Sequence, residues 1–384
     1  MLVQGKHFGL MLCTALLAAT ITSCGSSSTS SGASGQPATS IGHVFVLILE
    51  NEDYDNSFGT SSPAPYLAKT LPAMGALLQS YYGTGHNSND NYISMISGQA
   101  PNLDTQLDCQ TYGNFTQTST AANGQAVGSG CIFPTAVTSL PDQLTKAGLS
   151  WKAYMEDMGN TPSRESATCG HPTVGSKDGT QVATAADQYA TRHNPFMYFH
   201  SIIDDQASCD SHVVNFSGLA SDLGSLDSTA SFTFLTPNLC HDGHDSPCAD
   251  GEPGGLTSIN TFLQQWVPQI LASPAFQKDG LLIITFDESN GITSDSSSCC
   301  GGSSPNALLP GLLGPGGGKV GAVLISPFIK AGTVSTTSYN HYSMLRSVGD
   351  IFGLQYLGNA GASGQAGFGS DVYTQVMPVF PAKN

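Results

Sequence analysis

Four short apolar runs punctuate the chain: His43 to Leu49, Ser231 to Leu235, Leu281 to Phe286 and Val320 to Ile325. They are apolar without alternation, as strands buried on both faces are, and rich in β-branched residues. Trp151 to Glu156 reads as one more strand. Helical periodicity falls between the runs, at Pro141 to Gly148, Leu256 to Leu271 and Ser343 to Phe352. Strands alternating with helices predict an α/β fold, a three-layer α/β/α sandwich around a mainly parallel sheet.

In an open sheet of this kind, ligands bind beyond the carboxyl ends of the strands. Leu49 is followed by Glu50-Asn51, Leu235 by Thr236-Pro237-Asn238, and Phe286 by Asp287-Glu288. One such ending reads as a turn, since acids and amides favour turns. Three endings that deliver oxygen atoms to the same sheet edge point to a site.

Residues 8–21 form an apolar stretch behind Lys6 that, at about 14 residues, is shorter than the roughly 20 a membrane-spanning helix requires. It predicts an export signal over 1–23. Its end, Ile21-Thr22-Ser23-Cys24, resembles the lipobox of bacterial lipoproteins, so Cys24 is the expected lipid anchor. The protein is then exported, as a cell-surface lipoprotein or in secreted or periplasmic form, and touches a membrane only through that anchor. The tract 24–40, almost entirely Ser, Gly, Thr and Ala, cannot bury enough surface to fold and reads as a linker. The folded domain is expected over 41–384.

Composition adds two constraints. The chain has 384 residues with 28 Asp and Glu against 12 Lys and Arg, a net charge of −16. So few scattered cations exclude a polybasic nucleic-acid binder. Beyond Cys13 and Cys24, eight cysteines remain, and an even number in an exported protein suggests up to four disulfides. Short loops favour Cys109 with Cys131 and Cys240 with Cys248. A bridge between the adjacent Cys299 and Cys300 is strained and uncommon, which makes them candidates for pairing elsewhere. Segments 99–187 and 289–318, rich in Gly, Ser and Thr, are expected to be cap-like insertions where substrate choice is made.

The segment Gly85-His86-Asn87-Ser88-Asn89-Asp90-Asn91-Tyr92 opens a predicted helix with Ser88 as N-cap, Ile93 and Ile96 facing the core and Gly98 closing it. A hydroxyl at a helix N-terminus lies beside free N–H groups and the positive dipole end, which suits a phosphoryl group under attack. Most serines at such a position only cap the helix, so the spacing alone does not assign a nucleophile.

Taken together, these blocks resemble the bacterial and fungal phosphoesterase family that contains acid phosphatases and phospholipases C. His43 to Gly59 is similar to its opening motif, and His86-Asn-Ser88-Asn-Asp-Asn91-Tyr92 to the His-Pro-Ser-x-Pro-Asn-Tyr motif of the acid-phosphatase branch. Thr236-Pro-Asn238 with Asp242-Gly-His244-Asp245, Thr285-Phe-Asp287-Glu288, and Asn340-His341 to Arg346 follow in the family's order. The resemblance implies an alkaline-phosphatase-like fold and a phosphate-ester substrate, with lipid phosphates included. By the same resemblance Ser88 is the nucleophile, forming a phosphoseryl intermediate. Glu50, Asn51, Asp287 and Glu288 hold a divalent metal ion, with Asp242 joining them. Asn91 donates to a phosphate oxygen, and His86, His244 and His341 surround the phosphate or leaving group.

Oxygen ligands favour Mg, Ca or Mn, and nearby histidines leave Zn or Fe open. Departures from the motif are Asn87 and Asp90 in place of its two prolines, and His241, which leaves open whether His241 or His244 turns inward. His171, His193, His200 and His212 read as structural. Phosphomonoester hydrolysis is the expected activity; a phospholipase C or other phosphodiesterase is the enzymatic alternative, suggested by Tyr54-Asp-Asn-Ser-Phe58. A non-catalytic surface lipoprotein predicts a missing nucleophile or ligand, and none of these residues is missing.

Overall fold

The computed structural model describes residues 40–383. The expected export signal, Cys24 and the linker as far as residue 39 lie outside the described residues. Eight strands build the central sheet: β1 (His43–Leu49), β2 (Ala76–Leu78), β3 (Trp151–Met155), β4 (Val213–Asn215), β5 (Phe232–Thr236), β6 (Gly280–Phe286), β7 (Ala322–Ile325) and β8 (Thr333–Ser335). Their order across the sheet is β8-β2-β7-β6-β1-β5-β3-β4. All pairings are parallel except those of β7, which runs antiparallel to both neighbours.

Helices complete the three-layer α/β/α arrangement; those that bear on the site and the core are α1 (Ser88–Ser97), α2 (Leu140–Lys146), α3 (Gly255–Ala272) and α4 (His341–Phe352). The predicted strands and helices are all present, with ends moved by a few residues. β7 starts at Ala322 rather than Val320 because the N–H groups of Val320 and Gly321 both donate to the Tyr81 carbonyl. β3 lies inside segment 99–187, so that stretch contributes to the main sheet.

The sheet is apolar because both its faces are covered. β1 is buried from Val44 to Leu49 and β6 along its whole length. Their register pairs Leu49 with Phe286, which brings Glu50 and Asp287 out of adjacent strands side by side. On the other flank Leu47 pairs with Leu235, setting the β5 exit, and the Asp242 loop beyond it, against Glu50. Asp242 is tied back there by its carbonyl, which accepts from the Glu50 N–H at 2.8 Å.

Helix α1 packs on α4, and all ten of its residues are buried. It ends at Gly98, whose φ of 68° is left-handed; a Cβ there would lie 2.2 Å from the Leu357 carbonyl oxygen, so only glycine fits. The N-cap is Asn87, with φ −151° and ψ 149°, and Ser88 is the first helical residue. This corrects the reading of Ser88 as the cap: its hydroxyl is committed to a side chain across the sheet edge instead of to a backbone N–H.

All eight cysteines of the described region are paired: Cys109–Cys131, Cys169–Cys209, Cys240–Cys248 and Cys299–Cys300. The last two bond to each other, because the other six have partners among themselves. Sequence separations of 40 for Cys169–Cys209 and 8 for Cys240–Cys248 set their relative weight. Loop-closure entropy makes the first worth about 4 kcal/mol and the second about 2.5 kcal/mol. Paired Cys→Ser replacement should therefore lower the melting temperature more for Cys169 and Cys209 than for Cys240 and Cys248. Equal or inverted losses in a calorimetric scan would refute that ranking.

Candidate active site

The strand exits converge on Ser88. Its Oγ donates to Glu50 Oε2 at 2.9 Å, and both residues are buried. The other Glu50 oxygen, Oε1, faces His193 Nε2 at 3.4 Å. That pair is not aligned as a hydrogen bond, and among the described residues neither atom has a hydrogen-bond partner. His193 Nδ1 lies 3.0 Å from Asp242 Oδ2. With Nδ1–H donating to that carboxylate, Nε2 carries a lone pair aimed at another carboxylate, a contact that calls for a cation or proton between them. Glu50, His193 and Asp242 each offer a ligand atom, all within 4.8 Å of one another.

Asp287 closes the cluster. Its Oδ1 accepts from the N–H groups of Glu288 at 2.7 Å and Asn51 at 3.2 Å, while Oδ2 is buried without a partner among the described residues. Asn51 sits at φ 57°, a left-handed turn that aims its N–H at Asp287, and its Nδ2 donates to Glu50 Oε2 at 3.3 Å. Burial, then repulsion from Asp287 and Asp242, pushes the Glu50 carboxyl well above its ordinary range. Burial pushes Asp242 well up and raises Asp287 to about 7. Burial, with Arg192 and His244 nearby, holds His193 well below the ordinary histidine value, so it is neutral and able to coordinate. Tyr92 stacks flat on His193, with ring centroids 5.2 Å apart, and fixes its plane.

Several predicted residues are placed differently from their expected roles. Asn91 is fully engaged: its Oδ1 accepts from Thr84 N, Thr84 Oγ1 and Gly85 N, and its Nδ2 donates to Gly85 O, Asn87 O and Glu288 Oε2. It braces the turn before Ser88, with no donor left over for a phosphate. His341 donates from Nε2 to the Asp287 carbonyl at 2.6 Å and meets Tyr81 Oη at Nδ1, 3.2 Å away. It supports Asp287 from behind, and burial lowers it to about 4, which leaves no proton to give near neutral pH. His86 is likewise held, between the Asp295 carbonyl at 3.0 Å and Glu288 Oε1 at 3.3 Å. Both Glu288 oxygens are thus taken, by Asn91 and His86, and burial with Asp287 alongside pushes its carboxyl well up.

His244 and His241 part ways. His244 Nε2 accepts from Arg192 Nη2 at 3.1 Å, its Nδ1 donates to Asp245 at 2.8 Å, and its ring lies 5.6 Å from that of His193. His241 turns to Glu156 at 2.9 Å and away from the cluster. Asp90 is buried with both oxygens unpartnered among the described residues; it packs against Gly85, where a Cβ would lie 1.9 Å from Oδ1. Burial, Asp108 and Asp287 push it well up, toward the neutral form.

Sequence reasoning missed Arg192 and His193. Both sit on a three-residue turn, Thr191–His193, with no periodicity to mark it. The available signal was a lone Arg-His pair in a chain with few cations. Arg192 is 3% exposed and lies near Glu50, Asp108 and Asp242, the positive charge built into this acidic site.

The chain is similar to several known proteins. A phosphate-repressible acid phosphatase of Penicillium chrysogenum is 27% identical over 315 residues, covering 82% of this chain and 60% of that protein. A phosphatidylinositol-3-phosphatase of Mycobacterium tuberculosis is 24% identical over 321 residues, covering 83% of this chain and 79% of that protein. The chain spans about 60% of the length of the fungal acid phosphatases it matches. Among solved structures, Ps i-CgsB superposes with a TM-score of 0.50 at 11% identity, over 88% of this chain and 77% of that one, a likeness of fold alone. A protein in the alkaline phosphatase superfamily from Vibrio parahaemolyticus gives a TM-score of 0.49 at 12% identity, over 82% and 68%. The Phosphoesterase family model matches residues 63–355, a span that starts after Glu50 and Asn51 and holds Ser88, His193, Asp242 and Asp287. On that match, the chain belongs to the phosphoesterase family.

Proposed function

We propose that the chain is an exported, metal-dependent phosphomonoesterase of the acid-phosphatase type, working through phosphorylation of Ser88. The observation that carries this reading is the Ser88 Oγ–Glu50 Oε2 hydrogen bond, 2.9 Å long, inside a cluster of buried acceptors that lack donors. The four disulfides support an oxidising compartment.

The donor set fits a divalent cation. Glu50, Asp242 and Asp287 supply oxygens and His193 a ring nitrogen, and the atoms that Glu50, Asp287 and His193 leave unpartnered are the ones a cation would satisfy; Asn51 and Glu288 flank them. Bound there, such an ion supplies Lewis-acid stabilisation of the serine alkoxide and of charge on the phosphoryl oxygens. Glu50 receives the Ser88 proton as Oγ bonds to phosphorus and the ester oxygen departs with its electron pair. Arg192, a planar fork at the edge of the cluster, holds non-bridging oxygens. His244, with Nε2 accepting from Arg192 and Nδ1 donating to Asp245, orients the Arg192 fork, and the leaving oxygen takes its proton from solvent water. Water then attacks phosphorus and gives up a proton to solvent as the Oγ–P bond breaks; phosphate leaves, and Glu50 returns its proton to Ser88 Oγ.

Replacing Ser88 by Ala should leave the fold intact, read by circular dichroism, and lower phosphatase turnover by about 10³-fold or more. A folded variant with full activity would sink the mechanism. Chelation should abolish activity and a divalent ion should restore it; full activity after exhaustive chelation would contradict the cofactor assignment. Nitrophenyl phosphate should be cleaved in preference to nitrophenyl phosphocholine, and the reverse preference would mark a phosphodiesterase.

A further inference from the structure

Five leucines stand exposed on two neighbouring segments beside the Ser88 turn. Leu103 and Leu107, each 65% exposed, lie on the 102–107 turn; Leu308 at 97%, Leu309 at 45% and Leu313 at 63% lie on the 307–314 loop. The two segments are joined by Gln106, whose Nε2 donates to the Leu309 carbonyl at 2.8 Å and to the Pro310 carbonyl at 2.9 Å. Ala307 and Pro310 are buried, while Leu312 N–H donates to Leu309 O at 3.0 Å and Gly311 N–H to Gly314 O at 2.9 Å. The loop is therefore a closed turn that holds its leucines outward, with neighbouring positions already seated on the body.

This rim is continuous with the candidate site. The Gln106 carbonyl accepts from Asn87 Nδ2, and Asn87 immediately precedes Ser88. The rim also carries little charge. Residues 296–318 contain no charged side chain in a chain of net −16. Asp104, the acid on the other segment, has its Oδ2 accepting from the Gly130 N–H at 2.7 Å. A cluster of exposed leucines beside a candidate site marks a surface that meets an apolar phase. So low a charge matches a layer of zwitterionic headgroups and offers little to a polyelectrolyte.

We propose that this leucine rim enters a bilayer of zwitterionic phospholipid and so presents a phosphate monoester on a lipid headgroup to Ser88. The proposal rests on the phosphomonoesterase reading for its chemistry, but the insertion itself is measurable without catalysis. In Leu308→Trp, adding phosphatidylcholine vesicles should shift the new tryptophan's emission to the blue, and bromine on the lipid chains should quench it. No shift and no quenching would overturn the proposal. A blue shift that grows with protein concentration in the absence of vesicles would overturn it too, by showing that a second copy covers the rim.

The second arm replaces Leu308, Leu309 and Leu313 together by Ser. Hydrolysis of a phosphomonoester lipid carried in phosphatidylcholine vesicles should fall about tenfold or more, with nitrophenyl phosphate hydrolysis unchanged, since buried apolar area drives interfacial binding. Vesicle activity equal to that of the unmodified chain would contradict the rim's role. Should the unmodified chain hydrolyse neither substrate, the phosphomonoesterase reading fails, while the Leu308→Trp measurement still decides for or against insertion.

Discussion

The structure depends on a cost it does not cover with its own donors, the burial of Glu50, Asp242 and Asp287 in one cluster. An ionised carboxylate out of water is tolerated only with hydrogen bonds or an opposite charge. The donors on hand are the Ser88 hydroxyl, the His193 Nδ1–H, the Asn51 side-chain amide and the backbone N–H groups of Asn51, Glu288 and His244, and two carboxylate oxygens still lack any among the described residues. A parallel sheet imposes this crowding, because the β1–β6 register ends both strands at the same level. The surrounding residues then act as a frame. Tyr92 fixes the plane of His193, His341 pins the Asp287 carbonyl, and Asn91 locks the turn that presents Ser88.

The parts of this arrangement that were legible in the sequence are those written in local pattern. Uninterrupted apolar runs gave β1, β5 and β6, and the acids abutting β1 and β6 marked one edge of the sheet. The antiparallel direction of β7 was not legible, since a short apolar run carries no sign of its direction. β2, β4 and β8, with three residues each, are too short to show any period. Ser88, at the start of a helix flanked by polar residues, stood out. Its true partner did not, because the Ser88–Glu50 contact joins residues 38 apart across the sheet edge.

The histidines show where pattern reading ends. His86 and His341 belong to recognisable blocks, yet their ring nitrogens are spent on backbone carbonyls and neighbouring side chains. His193, in a short turn with no periodic signal, carries the lone pair that faces Glu50. Asn91 likewise looked like a phosphate donor by motif and is a brace by contact. Which atom of a polar side chain is free is a tertiary fact, settled by partners far away in sequence.

The acidic composition becomes intelligible in these terms. In the proposed reading some of the acids supply the ligands of a cation site, Arg192 is the basic side chain set at its edge, and the leucine rim beside it carries little charge. The claim at the centre of this account is that the Glu50–His193–Asp242–Asp287 cluster holds a divalent ion. Elemental analysis of the protein purified without added metal, alongside Asp242→Asn, tests it most directly. The unmodified protein should hold about one or more divalent ions per chain, and the variant clearly fewer. A folded, active protein without stoichiometric metal would contradict it.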